Sequence, residues 1–443
     1  MPRPVDAFRC RTREAMNSGS ARHVIVIHLA LLVVLALALA ASASAPVAPA
    51  SQPYAPLPPV PEGWAIREVA KLPAPPTRVT SDGRGRFLYV LIANGDLWKL
   101  NPADGSLKQL LEGKKYCAGE VSAFGMTLDD RGRLYVICNV RDTSVKPNMN
   151  RVTIFRSSGK HETDPNDLKP WLKTDYPYGV NNFNHGVGHI AQGPDGMLYV
   201  SSGSRTDADE ASDDPNFSSE GETPLTACIW RLDPRTDHPT IEVFARGLRN
   251  PYGFCWDDHG RMIATENGPN LDPPEELNEI KQGRHYGFPY QFANWNHNPY
   301  RHVGSAPADL EMTQPILNVG PDGGFREGAP IGTFDAHSSP SGIVYLNDSF
   351  PPEQRGTFLV PRFGNMIEKR RDVGFDVLQV NLRDVNGEAR EAEVKTFLKP
   401  VARPVDIHLS GGKVYLVEYT RELSLMGPGK DQPGRVLELA PNP

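Results

Sequence analysis

The 443-residue chain is poor in cysteine, with five in all, and none lies in a CxxC or CxxCH arrangement. That spacing excludes zinc knuckles and covalently attached haem. Clustered positive charge is missing beyond the N-terminus, and the formal net charge is −6. A nucleic-acid partner needs basic residues to neutralise phosphates, so that class is excluded as well. No amphipathic heptad competes for a helical architecture. Long apolar runs are absent with one exception, Val24 to Ala41.

The exception reads as an export signal. Arg9, Arg11, Arg13 and Arg22 form a basic region before it, and Ala41-Ser42-Ala43 after it fits a small-residue cleavage site, cut after Ala43. The alternative is an uncleaved membrane anchor, since the run is about long enough to span a bilayer, although His28 interrupts it. Residues 1–45 are therefore signal or anchor, and they carry five arginines against Asp6 and Glu14. Their loss leaves an acidic exported protein, periplasmic or secreted, at a membrane only if the segment is retained. An acidic exported protein suits a small-molecule substrate and bound cations. Residues 46–62, rich in Pro and Ala, read as an extended linker. Cys117, Cys138, Cys228 and Cys255 could pair after export in any of three connectivities, with buried free thiols as the alternative.

What is plentiful is turn chemistry, with 42 Pro and 40 Gly. Hydrophobic content of 39% and charged content of 23% are those of a soluble globular protein. From residue 63 to 443 one pattern recurs: an Asp/Gly turn, then a strand rich in aromatic and apolar residues. It appears as SDGRGRFLYVL (81–91), DDRGRLYVI (129–137), GPDGMLYVSSG (193–203), DDHGRMIATENG (257–268), loosely as SPSGIVYLND (339–348), and as LSGGKVYLVEY (409–419). Glycine supplies the positive φ of a tight hairpin. The strands are expected to alternate apolar with small or polar residues. The anchors Tyr89, Tyr135, Tyr199, Ile263, Tyr345 and Tyr415 lie 46, 64, 64, 82 and 70 residues apart. A four-stranded propeller blade needs about 40–50 residues, and the excess is loop insertion. The prediction is all-β: a six-bladed β-propeller over 63–443 with inserted loops, such as 204–225, building one functional face.

Two segments depart from ordinary loop composition. In FNHGVGHIAQGPDG (183–196), His185 and His189 sit among small residues. A zinc site from the two would need a third ligand that the nearby sequence does not supply, and His189 reads as a packed or solvated strand histidine. In 245–290, Arg249-Asn250-Pro251, Asn267-Gly268-Pro269, Glu275-Glu276 and Tyr286 surround one hairpin. Adjacent Arg and Asn offer forked donors to a planar, oxygen-rich ligand. Gly-Pro carbonyls followed by paired carboxylates suit a hard cation such as Ca²⁺.

The joint order of NHxxG…GPDGxLYV, GxRNPxG, ENGPN…EELNxIxxGxxYGFP and RPVD resembles the glucose/sorbosone dehydrogenase family over about residues 65–440. The resemblance implies a six-bladed quinoprotein using pyrroloquinoline quinone and Ca²⁺ to oxidise an aldose or related sugar to a lactone. His185 falls at the catalytic base, with Arg249 taking part by stabilising charge on the quinone oxygen. Arg249, Asn250, Asn267 and Arg403 fall at cofactor contacts. The carbonyls of Gly268 and Pro269 fall at the active-site Ca²⁺, and Glu276 and Tyr286 at a second, structural Ca²⁺.

Three positions depart from the pattern. Ser204 stands where the sugar dehydrogenases place an Asp beside the histidine, Gly364 where they place a lysine, and Val405 where they place a second arginine. Arg362, two residues from the lysine position, is the remaining candidate cation for the cofactor's carboxylates. No electron-acceptor domain is present, so electrons would leave to a separate carrier. The competing expectations are a non-catalytic, Ca²⁺-stabilised propeller that binds a glycan or protein, and a Ca²⁺-dependent propeller hydrolase drawing on the acidic loop 207–214.

Overall fold

The repeated turn is built the same way at three sites. The aspartate that opens it pairs with an arginine four residues on: Asp82 with Arg86 at 3.1 Å, Asp129 with Arg133 at 2.6 Å and Asp257 with Arg261 at 2.7 Å. In all three, the other carboxylate oxygen also accepts one or two backbone N–H groups of the turn. The side chain thus satisfies donors that the hairpin would leave orphaned.

These hairpins assemble into six sheets, antiparallel apart from one edge pairing, in a computed structural model that describes residues 52–442 except 83–84, 160–164, 329–331, 367–372, 386 and 424–428. The expected export segment, its expected cleavage site and Cys10 lie outside the described residues. Strand β1 (Trp64–Lys71) is set aside for the last sheet. Blade 1 is β2 (Pro76–Ser81), β3 (Leu88–Ile92), β4 (Leu97–Leu100) and β5 (Leu107–Leu111). Blade 2 is β6 (Glu120–Leu128), β7 (Leu134–Asp142), β8 (Met149–Arg156) and β9 (Lys169–Pro177). Blade 3 is β10 (Val187–Gln192), β11 (Leu198–Ser202), β12 (Cys228–Leu232) and β13 (Glu242–Arg246). Blade 4 has three strands, β14 (Pro251–Trp256), β15 (Met262–Glu266) and β16 (Glu276–Ile280).

Blade 5 holds β17 (Leu317–Pro321), β18 (Val344–Tyr345), β19 (Phe358–Arg362), β20 (Asp376–Val385) and β21 (Glu388–Leu398), with β17 parallel to β21 at its edge. Blade 6 joins β22 (Pro404–Ser410), β23 (Lys413–Glu418) and β24 (Arg435–Pro441) to β1, so the two ends of the domain close the ring in one sheet. The first strands touch in sequence, β2 to β6, β10, β14, β18, β22 and back to β2, which is the expected six-bladed propeller.

Two local expectations are corrected. The second strand of a blade does not alternate: β3, β11, β15 and β19 are buried along their whole length. Neighbouring blades cover both of its faces, so apolar or small residues fill it, except where a strand ends in a partnered charge such as Glu266 or Arg362. The fifth repeat also differs. Tyr345 lies on the first strand of its blade, β18, whereas the other anchors lie on second strands. The SPSG segment therefore leads into a blade and does not turn within one.

Residues 52–62 form no strand but are pinned to the closing sheet. Arg421 donates to Gln52 O at 2.9 Å, Arg435 to Ala55 O at 2.6 Å, and the Tyr54 ring lies 4.2 Å from the Arg421 guanidinium. Among the described residues no helix is long and apolar enough to cross a membrane.

Side chains stitch each blade to the next around the axis. Thr77 donates to Ala123 O at 2.8 Å, Asn139 to Val187 O at 2.9 Å, and the His189 ring to Phe254 O at 3.1 Å. Thr265 donates to Ser341 O at 2.7 Å, and Ser341 to Pro404 O at 2.8 Å. Arg78, 1% exposed, closes the circle. It donates to Phe124 O and Tyr252 O, each at 2.7 Å, and pairs with Asp406 at 3.3 Å. The second Asp406 oxygen accepts Val79 N at 2.8 Å. Arg78 alone therefore touches the first strands of blades 1, 2, 4 and 6. Removing one member of such a buried pair strands its partner's charge, at about 3–5 kcal/mol. Arg78→Ala should lose stability of that order in urea unfolding, and a loss below about 1 kcal/mol, as for an ordinary surface change, would contradict the role given to it.

Candidate active site

In this topology the residues before a blade's first strand and after its second strand meet on one face. His185 precedes β10 and Ser204 follows β11. Arg249 and Asn250 precede β14, and Asn267 and Gly268 follow β15. Gly364 follows β19, and Arg403 precedes β22. Hydrogen bonds join these ends within a blade and from blade 3 to blade 4. His185 N donates to Ser204 O at 2.9 Å, Ser204 N to Arg249 O at 2.6 Å, and Asn267 N to Asn250 O at 3.1 Å. Gly203 makes the approach of His185 and Asn250 possible: a Cβ there would lie 2.5 Å from His185 Cβ and 3.1 Å from Asn250 Oδ1.

The His185 ring has one defined tautomer. Its Nδ1 lies 3.0 Å from the Ser204 carbonyl oxygen and 3.1 Å from Ser204 Oγ. A carbonyl only accepts, so Nδ1 carries the proton and Nε2 keeps its lone pair. The Ser204 hydroxyl donates to Thr206 O at 2.6 Å, which turns an oxygen lone pair toward Nδ1. Ser204 thus performs the orienting task of the missing aspartate without its charge. Burial of the ring, then the nearby Arg249 charge, lowers the His185 pKa to about 3.

Arg249 is 4% exposed and held on three sides. Its Nη2 donates to Asp207 Oδ1 at 2.6 Å, Nε to Asp207 O at 3.0 Å, and Nη1 to Gly268 O at 2.5 Å and Asn267 O at 3.2 Å. Tyr300 donates to the other Asp207 oxygen at 2.6 Å. Burial works to raise the Asp207 pKa, but Arg249 and Tyr300 hold it below the usual carboxylate range. Asp207 and Tyr300 were not singled out in the sequence. The acidic run 207–214 was the only signal for the first, and nothing local marks the second.

The neighbouring carboxylates are in surplus. Glu266 and Glu276 are cross-strand partners, both buried, and each accepts from the single Asn278 amide at 3.0 Å. Glu276 also accepts Ala293 N at 2.5 Å, and Glu275 accepts Gly268 N at 2.6 Å and Ser339 N at 3.2 Å. Burial raises all three, Glu276 to about 7, and the charge of Glu276 raises Glu266 further. Asn267 Oδ1 and Asn278 Oδ1 are buried without a hydrogen-bond partner. Among the described residues no three His, Cys, Asp or Glu side chains converge as a metal cluster, so a cation here would rest mainly on backbone carbonyls. The Tyr286 hydroxyl is already engaged, donating to Glu279 O and accepting Lys281 N, each at 2.7 Å, which leaves its carbonyl as the available ligand.

The remaining cationic positions divide. Arg403 is 4% exposed, donates to Asn365 O at 3.1 Å, and stacks 4.9 Å from Phe363 and 4.8 Å from Phe375. It joins the same rim, because Gly364 N donates to Ser338 O and Ser339 binds Glu275. Arg362 is drawn elsewhere: it grips Asp376 through two contacts of 2.8 Å and Asp335 at 3.1 Å. Val405 is buried in an apolar cluster with Val79 and Tyr415. Gly364 has φ 97°, and a Cβ there would lie 2.6 Å from the Phe375 ring, so no lysine fits.

Comparison with known proteins follows this geometry. The Glucose / Sorbosone dehydrogenase family profile matches residues 125–364, more than half of the chain. The chain is 29% identical over 82 residues to quinoprotein glucose dehydrogenase B of Acinetobacter calcoaceticus, a match spanning 16% of this chain and 17% of that relative. It is similar in fold to the PQQ-bound form of an aldose sugar dehydrogenase from Streptomyces coelicolor, with TM-score 0.58 and 21% identity over 86% of this chain and 99% of that one. The holo pyranose dehydrogenase PQQ domain from Coprinopsis cinerea gives TM-score 0.57 and 15% identity, over 88% and 98% of the two chains. At these identities the structural likeness is one of fold.

The neutral His185 has a consequence for stability. Its native pKa of about 3 lies below the free value of about 6.5. Between those pH values the unfolded chain binds a proton that the native ring refuses, so stability falls as pH drops through the window and is untouched above it. His189 and His408 are lowered in the same sense by burial. His185→Gln should therefore lose less stability than wild type between about pH 7 and pH 4 in urea unfolding. Parallel losses would show that the native ring is protonated.

Proposed function

The chain belongs to the glucose/sorbosone dehydrogenase family, and we propose that it oxidises an aldose or related sugar at the anomeric carbon to a lactone, with pyrroloquinoline quinone and Ca²⁺ as cofactors. The observation that carries this reading is the His185 tautomer: Nδ1–H is committed to the Ser204 carbonyl, leaving an Nε2 lone pair on a ring that feels the Arg249 charge.

The residues present fit the cofactors on donor chemistry. Glu266 and Glu276 face each other across two strands, and buried like charges so placed call for a shared proton or a cation. The carbonyls of Asn267, Gly268 and Pro269 and the orphaned Asn267 Oδ1 supply further hard oxygen donors. We assign Gly268 and Pro269 to the active-site cation, and Glu276 with the Tyr286 carbonyl to a structural one. Arg249, Asn250, Asn267 and Arg403 are the proposed quinone contacts. Arg362 enters indirectly, by fixing Asp335 and Asp376 behind the 335–339 loop.

When bound, the quinone supplies a two-electron acceptor and Ca²⁺ the Lewis acidity that polarises it. The protein's own part is as follows. His185 Nε2 accepts the proton of the sugar hydroxyl, and the Ser204 carbonyl stabilises the imidazolium that forms. Arg249, oriented by Asp207 and Tyr300, offers its guanidinium to developing negative charge. Electrons then pass to a separate carrier, and the N-terminal signal supports export.

One observation favours the second reading, a cation-stabilised propeller that binds a glycan or protein without catalysis. The Gly268 carbonyl is already occupied by Arg249 Nη1. The two readings separate on reconstitution with the quinone and Ca²⁺ followed by an aldose. Wild-type protein should show the absorbance change of quinone reduction, and His185→Gln should bind the quinone but turn over roughly 10²–10⁴-fold more slowly. Full turnover by His185→Gln would remove the base assignment, and quinone that stays oxidised on wild-type protein with every aldose tried would favour the non-catalytic propeller.

A further inference from the structure

Phe183 stands apart from the packing of the propeller. It is half-buried, and the apolar clusters that fill the blades, among the described residues, do not include it. Its ring meets two groups of the candidate site instead. The ring centroid lies 5.0 Å from that of the His185 imidazole, with the two planes at 81°, and 5.8 Å from the Arg249 guanidinium carbon.

The turn that carries the ring is closely tied. Phe183 N donates to Val180 O and Gly179 N donates to Phe183 O, each at 3.1 Å. Asn181, with φ 57°, and Asn182, with φ 61°, are consecutive left-handed residues, a conformation that asparagine tolerates better than most side chains. Backbone of this kind clusters at ligand-binding sites. Asn182 Oδ1 accepts Asn148 Nδ2 at 2.9 Å, which fixes the turn to the residue before β8. The chain thus spends an ordered turn on holding an aromatic ring against the candidate base and outside the core.

We propose that Phe183 is the apolar wall of the sugar pocket and selects a pyranose, the cyclic form of an aldose, over an open-chain polyol. The inference rests on the dehydrogenase reading and adds to it the shape of the substrate. With the anomeric hydroxyl at His185 Nε2, the carbon skeleton of the sugar comes within reach of a ring centred 5.0 Å from the imidazole. A pyranose gathers C–H groups on its faces and hydroxyls at its rim. The C–H face packs on an aromatic ring, and the rim is left to polar groups. An open-chain polyol offers no rigid face and loses more rotational freedom when it is held flat. Phe183 is therefore a specificity-determining residue, separate from the proton transfer at His185.

The test uses the full chain with Ca²⁺ and pre-reduced pyrroloquinoline quinone, so that no turnover intervenes. D-glucose, D-galactose, D-mannose and D-xylose are titrated by calorimetry, with sorbitol as the open-chain probe. At least one pyranose should bind saturably and more tightly than sorbitol. Phe183→Leu, which keeps apolar bulk and loses the flat ring, should weaken that pyranose about tenfold and leave sorbitol nearly unchanged. Phe183→Tyr should restore the wild-type affinity. In turnover with oxidised quinone, Phe183→Leu should raise KM by the same factor at nearly constant kcat, since the contact is made equally before and during the reaction. Pyranose binding that depends on Phe183, in a protein that never reduces the quinone, keeps this assignment and removes the dehydrogenase reading. Wild-type protein that binds none of the four pyranoses overturns the proposal, and so does equal affinity in Phe183→Leu. A fall in kcat at constant KM also overturns it, because the ring would then only orient the base.

Discussion

The structure depends on a single buried guanidinium at the propeller axis. Arg78 reaches carbonyls on the first strands of blades 2 and 4 and a carboxylate on that of blade 6. The first strand of blade 5 is only two residues long, so backbone pairing alone fixes its tilt poorly. A planar group with several donors in fixed directions sets that geometry for four blades at once. The other stitches, from Thr77, Asn139, His189, Thr265 and Ser341, carry it round the ring. His185, Arg249, Asn250, Asn267 and Arg403 each sit within a few positions of one of these stitched residues, so the axis sets how far apart they lie.

On that frame the site is organised by charge. A neutral imidazole, whose orientation comes from a backbone carbonyl, stands beside a guanidinium confined by Asp207, Asn267 and Gly268. Behind them lie three buried glutamates, of which Glu266 and Glu275 share the one Arg249 charge. Carboxylates in such surroundings take up protons or attract a metal, and Glu276, raised to about 7, is poised between the two near neutral pH. The absent lysine and second arginine are consequences of packing: Phe375 fills the space beside residue 364, and Val405 belongs to the core. The proposed cationic contact with an anionic cofactor would therefore concentrate on Arg249 and Arg403.

Much of the fold was legible because its signals are local. An aspartate, a glycine of positive φ and an arginine at fixed offsets make a hairpin with no help from the rest of the chain. Six turn-and-strand repeats, three of them built this way, gave the blade number when read with their spacing. The fifth misled because its Ser-Gly turn enters a blade and the hairpin itself is closed by the longer 346–357 connection. Strand alternation misled because burial on both faces comes from neighbouring blades. The site was legible as a set of motifs but not as a network. Asp207 and Tyr300 are 93 residues apart, and Arg78 and Asp406 are 328 apart, so no window of sequence shows either pair. Arg362 looked available for an anion until the fold set Asp376 and Asp335 against it. Ser204 looked like the loss of a carboxylate, and only its backbone carbonyl reveals what took over.

The central claim is that this pared-down set of charges still holds the quinone, and that it does so with a divalent cation. Titration of pyrroloquinoline quinone into apo-protein, with Ca²⁺ and then with chelator, tests it most directly when repeated on Arg403→Ala. The account predicts saturable binding that requires Ca²⁺ and weakens about ten- to a hundredfold in the variant, as expected for one charged hydrogen bond of roughly 1.5–3 kcal/mol. Binding that is indifferent to both Ca²⁺ and Arg403 would contradict it.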